Sequence, residues 1–336
     1  MAKRATTKAK DESELLTALR FVSLAQSNEG TPYQTHCRFI NNQIIAFDGV
    51  LAAGVPVETE LAICPHTYQF MRALERAKGQ HSISVLDTQQ LSVTTSRFRA
   101  LVPCMRSDDL AYVAGDPKGW PLSDAFKHAA DAALMFTTEG NTVVAYAAAI
   151  TRDGSIVGTD GRVFIEAWHG IPTPPDLLIP KQFFSALGKV NKPIIGFGFS
   201  ETSFTVHFED TSWLRTQLYV NEAIPNINGV LAWTDSAKPT EIPKDLYAGI
   251  EAVAPFNETG RFFIGDGMVS SHENIDQGAT YTIKAMEPAG EFVSKQFLAL
   301  RNLVTAIDFY SNDRAVLFFG KNDKTQVRGA FAKIRS

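Results

Sequence analysis

The chain has 336 residues, 45% hydrophobic and 20% charged, with a formal net charge of −4. This is ordinary globular composition, and no apolar run approaches the roughly 18 residues of a membrane span. Cys37, Cys64 and Cys104 fit no paired spacing and read as reduced thiols of a cytoplasmic protein, and the basic start, residues 1–10, lacks the apolar core of a secretory signal and reads as a flexible tail.

In chain order, Asp11 and Glu14 have capping-box spacing, and Leu15, Leu19 and Val22 mark one face of a predicted helix. Two extended stretches then meet at Asn41-Asn42. A second helix follows Pro65 and ends near Gly79. Ile83 and Val85, Leu91 and Val93, and Phe98, Ala100 and Val102 alternate as half-buried strands do. A third helix starts near Leu122-Ser123-Asp124. Hairpins are expected at Asp153-Gly154 and Asp160-Gly161, and Pro180 opens a fourth helix. Strands follow at Ile194, Phe197 and Phe199 and at Phe204, Val206 and Phe208. Pro225-Asn226-Ile227-Asn228-Gly229 reads as a turn-rich link. The last third carries helices near 243–253 and 291–306, with strands at Phe262-Phe263-Ile264, Tyr281-Thr282-Ile283, 316–319 and 327–331.

One phrase recurs along this order. Leu61-Ala62-Ile63-Cys64-Pro65-His66-Thr67-Tyr68 returns as Leu177-Leu178-Ile179-Pro180-Lys181-Gln182-Phe183 and again as Phe292-Val293-Ser294-Lys295-Gln296-Phe297. Its aromatic anchors, Tyr68, Phe183 and Phe297, lie 115 and 114 positions apart. That period is too long for a solenoid and suits a small domain. The expected class is α+β: three tandem copies of one domain, at 11–115, 116–224 and 225–336, behind the tail at 1–10.

Charge separates the two helices of each copy. The first helices, windows 11–26, 121–136 and 241–254, carry −2, −1 and −2, whereas the second, windows 66–78, 180–192 and 291–306, carry +2, +3 and +1. A basic surface inside an acidic molecule is the footprint of phosphate contact without base reading. The bland alternative is a set of solvated faces whose lysines favour helix C-termini.

Chemistry-bearing motifs are absent: the sequence holds no HExxH, CxxC, P-loop or nucleophile elbow. Gly196-Phe197-Gly198 precedes strand-like sequence where a dinucleotide loop needs a helix. Asp160 before Gly161 is a turn aspartate, and the seven histidines show no ligand spacing. No catalytic residue, metal or cofactor is expected. Trp120, Trp168 and Trp213 read as packing residues, and Trp233 as a residue able to line a pocket.

Four phrases, in order, resemble the bacterial DNA polymerase sliding clamps, the β-subunit family. They are Ser96-Arg97-Phe98-Arg99, Val157-Gly158-Thr159-Asp160-Gly161-Arg162, Asp176-Leu177-Leu178-Ile179-Pro180, and Ala223-Ile224-Pro225-Asn226 running to Val230-Leu231. The resemblance spans about residues 15–334. It implies a processivity factor, not an enzyme: a ring of two subunits closed head to tail around double-stranded DNA, helices inside and sheets outside. Arg20, Arg72, Arg76, Lys181, Lys189, Lys192, Lys295 and Arg301 would face the DNA. Phe98 and Ala100 would lie in the dimer interface. Thr159, Gly161, Arg162, Val163, Val230, Leu231 and Ile334 would form the pocket through which a polymerase and a clamp loader dock by a short peptide motif. The chain departs from the family at its end, Phe331-Ala332-Lys333-Ile334-Arg335-Ser336, where members carry a Met-Pro-Met-like phrase, and at Arg162-Val163, where they carry His-Arg. A divergent member, bacterial or phage-encoded, fits these departures, and Lys333 in place of proline implies a more polar groove. Two other readings stand: a clamp-like scaffold that no longer closes a ring, and a hydrolase with its site between repeats.

Overall fold

The computed structural model describes residues 4–5, 9–77, 81–106, 110, 113–284 and 290–334, and only the backbone of 4–5 and 9–13. Lys78, counted above in the charge of a second helix, and Arg335-Ser336 lie outside them. The described helices are α1 (Ala9–Val22), α2 (Pro32–Thr35), α3 (Thr67–Arg76), α4 (Asp124–Ala133), α5 (Lys181–Leu187), α6 (Ile227–Asp235), α7 (Lys244–Val253) and α8 (Ser294–Ala299). Every strand pair among the described residues is antiparallel. The chain divides into two compact units, residues 1–124 with 182–218, and 125–181 with 219–336.

The first unit holds two sheets. A six-stranded sheet runs Ile194–Phe199, Ser203–Phe208, Trp213–Gln217, Leu51–Pro56, Gln43–Phe47, Arg38–Ile40. It joins strands of the first and second sequence repeats at one seam, where Trp213 pairs with Gly54 and Thr216 with Leu51. The Trp213 ring lies on Gly54 so closely that a Cβ there would sit 2.2 Å from it, so glycine is required by contact. A five-stranded sheet runs Arg4–Ala5, Ser82–Val85, Gln90–Thr94, Arg99–Met105, Cys64–Pro65. The stretch expected as a flexible tail thus supplies a two-residue strand, Arg4 opposite Ser84 and Ala5 opposite Ile83. Helix α1 begins at Ala9, ahead of Asp11, so Asp11 is inside the helix and not its cap.

Helices pack on these sheets as the apolar spacing predicts. Leu15, Leu19 and Val22 of α1 are buried. Phe21 meets Phe208 edge-on at 5.7 Å, and Phe39 of the sheet meets Phe70 of α3 at 6.1 Å. Each such ring contributes roughly 1.5–3 kcal/mol by leaving water. In the first copy of the phrase the fully buried anchor is Phe70. Tyr68 stays half-buried because its hydroxyl donates to the carbonyls of Ser23 and Gln26, both at 3.3 Å. Phe183 and Phe297 are buried as expected.

The second unit is built on an eight-stranded sheet: Leu178–Pro180, Ala148–Arg152, Ser155–Thr159, Val163–Trp168, Gln326–Ala332, Ala315–Lys321, Ala306–Asp308, Thr240–Glu241. The second and third repeats meet where Val163–Trp168 pairs with Gln326–Ala332, Val163 opposite Phe331 and Phe164 opposite Ala330. A four-stranded sheet runs Thr280–Thr282, Met268–Ser270, Arg261–Gly265, Gly290–Val293. Period two divides the larger sheet into faces. Phe331 stacks on Phe297 of α8 at 4.8 Å, which puts Val163 and Phe331 on the face packed by α8. Phe164 and Ala330 lie on the other face, under α6.

Gly196 and Gly198 lie inside the strand Ile194–Phe199. A Cβ at Gly198 would fall 2.2 Å from the Pro117 carbonyl, and one at Gly196 2.8 Å from that of Trp120. These glycines admit the connector 113–120, which is a backbone-packing role. Cys37 and Cys64 are buried free thiols, and burial pushes the Cys37 thiol up to about 12.

Candidate functional site

Three surfaces bear on the sequence expectations. The first is a sheet edge. The strand Arg99–Met105 pairs along one side with Gln90–Thr94. On its other side Cys64–Pro65 reaches only Met105 and Cys104, so among the described residues 99–102 carry no strand there. Phe98 and Ala100 are half-buried, and Leu101, which sequence reasoning passed over, is 45% exposed. Strict alternation pointed to Phe98, Ala100 and Val102 as the apolar side and left Leu101 as its outward neighbour. In the second unit the strand Thr280–Thr282 is likewise an edge, paired among the described residues with Met268–Ser270 alone.

The second surface is the helix charge. Arg72 and Arg76 are exposed on α3, and Lys295 is exposed on α8. Lys189 is exposed but follows the end of α5 at Leu187, where Gly188 donates its N–H to the Phe184 carbonyl. The remaining expected cations are engaged. Arg20 pairs with Glu75 of α3 at 2.9 Å, and Arg301, beyond the end of α8, pairs with Glu251 of α7 at 2.5 Å. In both outer repeats, then, the first and second helices are bridged by one arginine and one glutamate. Lys192 pairs with Asp210 at 2.6 Å, donates to Ser212 Oγ at 3.0 Å and covers the Phe21 ring at 4.0 Å. Lys181 donates Nζ to the carbonyls of Leu134 (3.1 Å) and Thr137 (2.6 Å), satisfying acceptors left over at the end of α4. The ammonium groups of Lys181 and Lys192 therefore act within the fold.

The third surface lies around α6. The segment expected as a link is helical from Ile227, and Asn226 caps it by accepting from the Gly229 N–H at 2.9 Å. Ile227 and Leu231 are buried on Ala145, Ala148, Ile150, Val157, Phe164 and Leu178, with Tyr146, Ile224 and Val230 half-buried beside them. Trp233 packs on Ala315, Leu317 and Ala330. At one end of this face sits the Asp160-Gly161 turn. Asp160 Oδ1 accepts from the Arg162 and Val163 N–H groups at 2.8 and 2.7 Å, and Gly161 takes φ +87°, a left-handed conformation that only glycine adopts freely. The Tyr146 hydroxyl lies 2.7 Å from where a Cβ of Gly161 would be. The Arg162 carbonyl accepts from the Ala332 N–H at 2.8 Å, which brings the C-terminal strand to the turn.

Of the expected pocket residues, the structure gathers Gly161, Arg162, Val230 and Leu231 around this face. Gly161 and Arg162 are exposed, Val230 and Ile334 are half-buried, and Thr159 is buried with its hydroxyl on the Val163 carbonyl at 2.8 Å. Val163 lies on the face packed by α8, one step out of phase, and Phe164 takes the position on the α6 face. Lys333 is no groove residue: its Nζ donates to the carbonyls of Phe309 and Asn312, both at 2.8 Å. Tyr146, Ile224 and Phe164 were missed. The two-residue alternation through Val163 and Phe164 was the signal available for the last.

Among the described residues no three metal-ligating side chains cluster, and no helix is long and apolar enough to cross a membrane.

Helices packed on antiparallel sheets give the chain an α+β fold, and solved structures share it. A DnaN sliding clamp (DNA polymerase III subunit beta) from Bartonella birtlesii, bound to griselimycin, is 18% identical with a TM-score of 0.76, each chain covered over 100% of its length. The Helicobacter pylori beta clamp bound to a DNA ligase peptide is 12% identical, TM-score 0.76, at the same coverage. The Bacillus subtilis DNA polymerase sliding clamp is 12% identical, TM-score 0.77, covering 97% of this chain and 98% of that one. The chain has the sliding-clamp fold over its full length. No protein-family model and no curated protein sequence matches it.

Proposed function

We propose that the chain is a DNA sliding clamp. Two copies join head to tail into a ring around duplex DNA, without reading its sequence, and tether a polymerase that docks, like the clamp loader, by a short peptide. The observation that carries the reading is the likeness to clamp structures over 100% of both chains. The free edge at 99–102, with Phe98, Ala100 and Leu101, is the surface assigned to the partner subunit, and the edge Thr280–Thr282 is assigned as its complement, because exposed edges need covering. Arg72, Arg76, Lys189 and Lys295 are assigned to phosphate contact, with Arg20 and Arg301 contributing less because each already faces a carboxylate. Weak contacts to phosphate suit a device that slides. The peptide groove is assigned to the α6 face, between Arg162, Tyr146, Phe164, Val230 and Ile334, where an apolar floor with few polar anchors suits an extended peptide.

The reading is tested by topology. Once loaded, the protein should remain on nicked circular duplex through a high-salt wash and run off when the circle is cut. Equal loss from circular and linear DNA would overturn ring closure. A mass near 37 kDa at micromolar concentration would favour a scaffold that no longer closes.

A further inference from the structure

Beneath α6 lies an ionic cluster that no feature of the sequence singled out. Glu166, on the strand Val163–Trp168, shares a face with Phe164 and is 3% exposed. Its Oε1 accepts from Ser155 Oγ at 2.7 Å and faces Arg152 Nε at 3.3 Å, and its Oε2 accepts from Arg328 Nε at 2.7 Å. Both arginines reach past it to α6. Arg152 Nη1 donates to Asn228 Oδ1 at 3.0 Å in the first turn. Arg328 Nη1 donates to Thr234 Oγ1 at 3.1 Å and Asp235 Oδ1 at 3.2 Å in the last turn, while its guanidinium covers the Trp168 ring at 5.1 Å. Asn228 and Thr234 are six residues apart, about 9 Å along a helix axis.

A nine-residue helix is marginal alone. Ile227 and Leu231 hold it down, but apolar contact is non-directional and leaves rotation and sliding cheap. Asp235 at its C-terminus also opposes the helix dipole and needs a cation. Arginine suits the task because its fork can bond a carboxylate with one nitrogen and the helix with another. A carboxylate this buried is costly unless fully engaged, and here its engagement is what aims both forks.

We propose that Glu166 is the positioning residue of the α6 groove: one buried carboxylate aims Arg152 and Arg328 at opposite ends of the helix and so fixes where Val230 and Leu231 stand. The inference about binding rests on the peptide-docking reading above; the inference about the helix does not.

The two are separated by two measurements on the full-length protein. The first is hydrogen exchange of the α6 amides. Glu166→Gln should speed exchange along all of α6 by about tenfold or more, the scale of a lost charged hydrogen bond. Arg152→Lys should act on the first turn and Arg328→Lys on the last, since lysine cannot bridge both partners. A general loss of stability would not sort the two ends. The second measurement is titration with a fluorescein-labelled extended peptide ending in Leu-Phe. Glu166→Gln should weaken it about tenfold while dimer mass stays unchanged. Should Glu166→Gln fail to fold, the triple variant Arg152→Met, Glu166→Met, Arg328→Met removes the buried charge altogether, and it should fold with α6 exchanging fast at both ends. If α6 keeps wild-type exchange in these variants, the proposal is overturned. So is it if exchange rises but peptide affinity holds. If wild type itself ignores the peptide, the docking reading fails, and the end-specific exchange still decides the role of Glu166.

Discussion

Lys181 and Lys295 stand in two copies of one phrase, yet their charges do different work. The Lys181 ammonium closes the end of α4 on two carbonyls, whereas Lys295 is exposed. Lys181→Met should therefore cost about 1–3 kcal/mol in denaturant unfolding and leave the salt dependence of DNA binding alone. Charge reversal at Lys295 or Arg72 should leave stability nearly unchanged and lower the slope of log affinity against log salt by about 0.9 each. The opposite pattern would reverse the assignment. His169 offers a second residue-level test. Burial against α4, where its ring meets Phe126 edge-on at 5.4 Å, lowers its pKa from 6.5 to about 4; the Ser155 backbone and the Asp153 charge oppose that shift. Above pH 6.5 both states are neutral and the group contributes no pH dependence. As pH falls from 6.5 to 4 the unfolded chain takes up a proton that the folded chain refuses, so stability drops, by about 3 kcal/mol at the limit. His169→Gln should flatten urea-unfolding stability across that window.

Among the elements, the edge at 99–102 is the most exposed to test. Phe98→Asp or Leu101→Asp should shift sedimentation from dimer to monomer at low micromolar concentration with the melting curve of each subunit kept. Dimers in both variants would remove this strand from the interface. At the other end of the chain, truncation after Ala332 should spare the sheet, since Phe331 and its stacking on Phe297 remain, but weaken peptide binding by removing Ile334. The strand-to-helix phrase and the Asp-Gly hairpins were legible because local chemistry decides them: Gly154 and Gly161 both take positive φ, as their turns require. Helix α6 was not legible. Asn228 and Gly229 are turn formers by propensity, and what makes them helical is Leu231 against Phe164 and two arginines from strands far off in sequence. The charge count met the same limit. It marked basic windows, but Lys189, Lys192 and Arg301 fall past the ends of α5 and α8, and spacing carries no information on which cation is already paired.

For the whole molecule, the three repeats read in the sequence and the two compact units are different divisions of one chain. The middle repeat gives its first half, through Leu178–Pro180, to one sheet and its second half, Ile194–Phe199 to Trp213–Gln217, to another. Expressed alone, residues 116–224 should show no cooperative melting, because each half would lack the strand that completes it, Leu51–Pro56 for one and Gln326–Ala332 for the other. A sharp thermal transition in that fragment would contradict the sheet order.

The same seam sets a timetable for synthesis. The first unit has all its strands once residue 217 leaves the ribosome. Val163 must wait for Phe331, 168 positions later. At about 5–20 residues per second, the apolar strand Val163–Trp168 stands with one side open for roughly ten to thirty seconds on every nascent chain. Over that interval it is a template for mispairing with any neighbour, so the yield of folded protein should depend on translation speed and on chaperones that shield strands, and slow codons placed between the two partners should lower it.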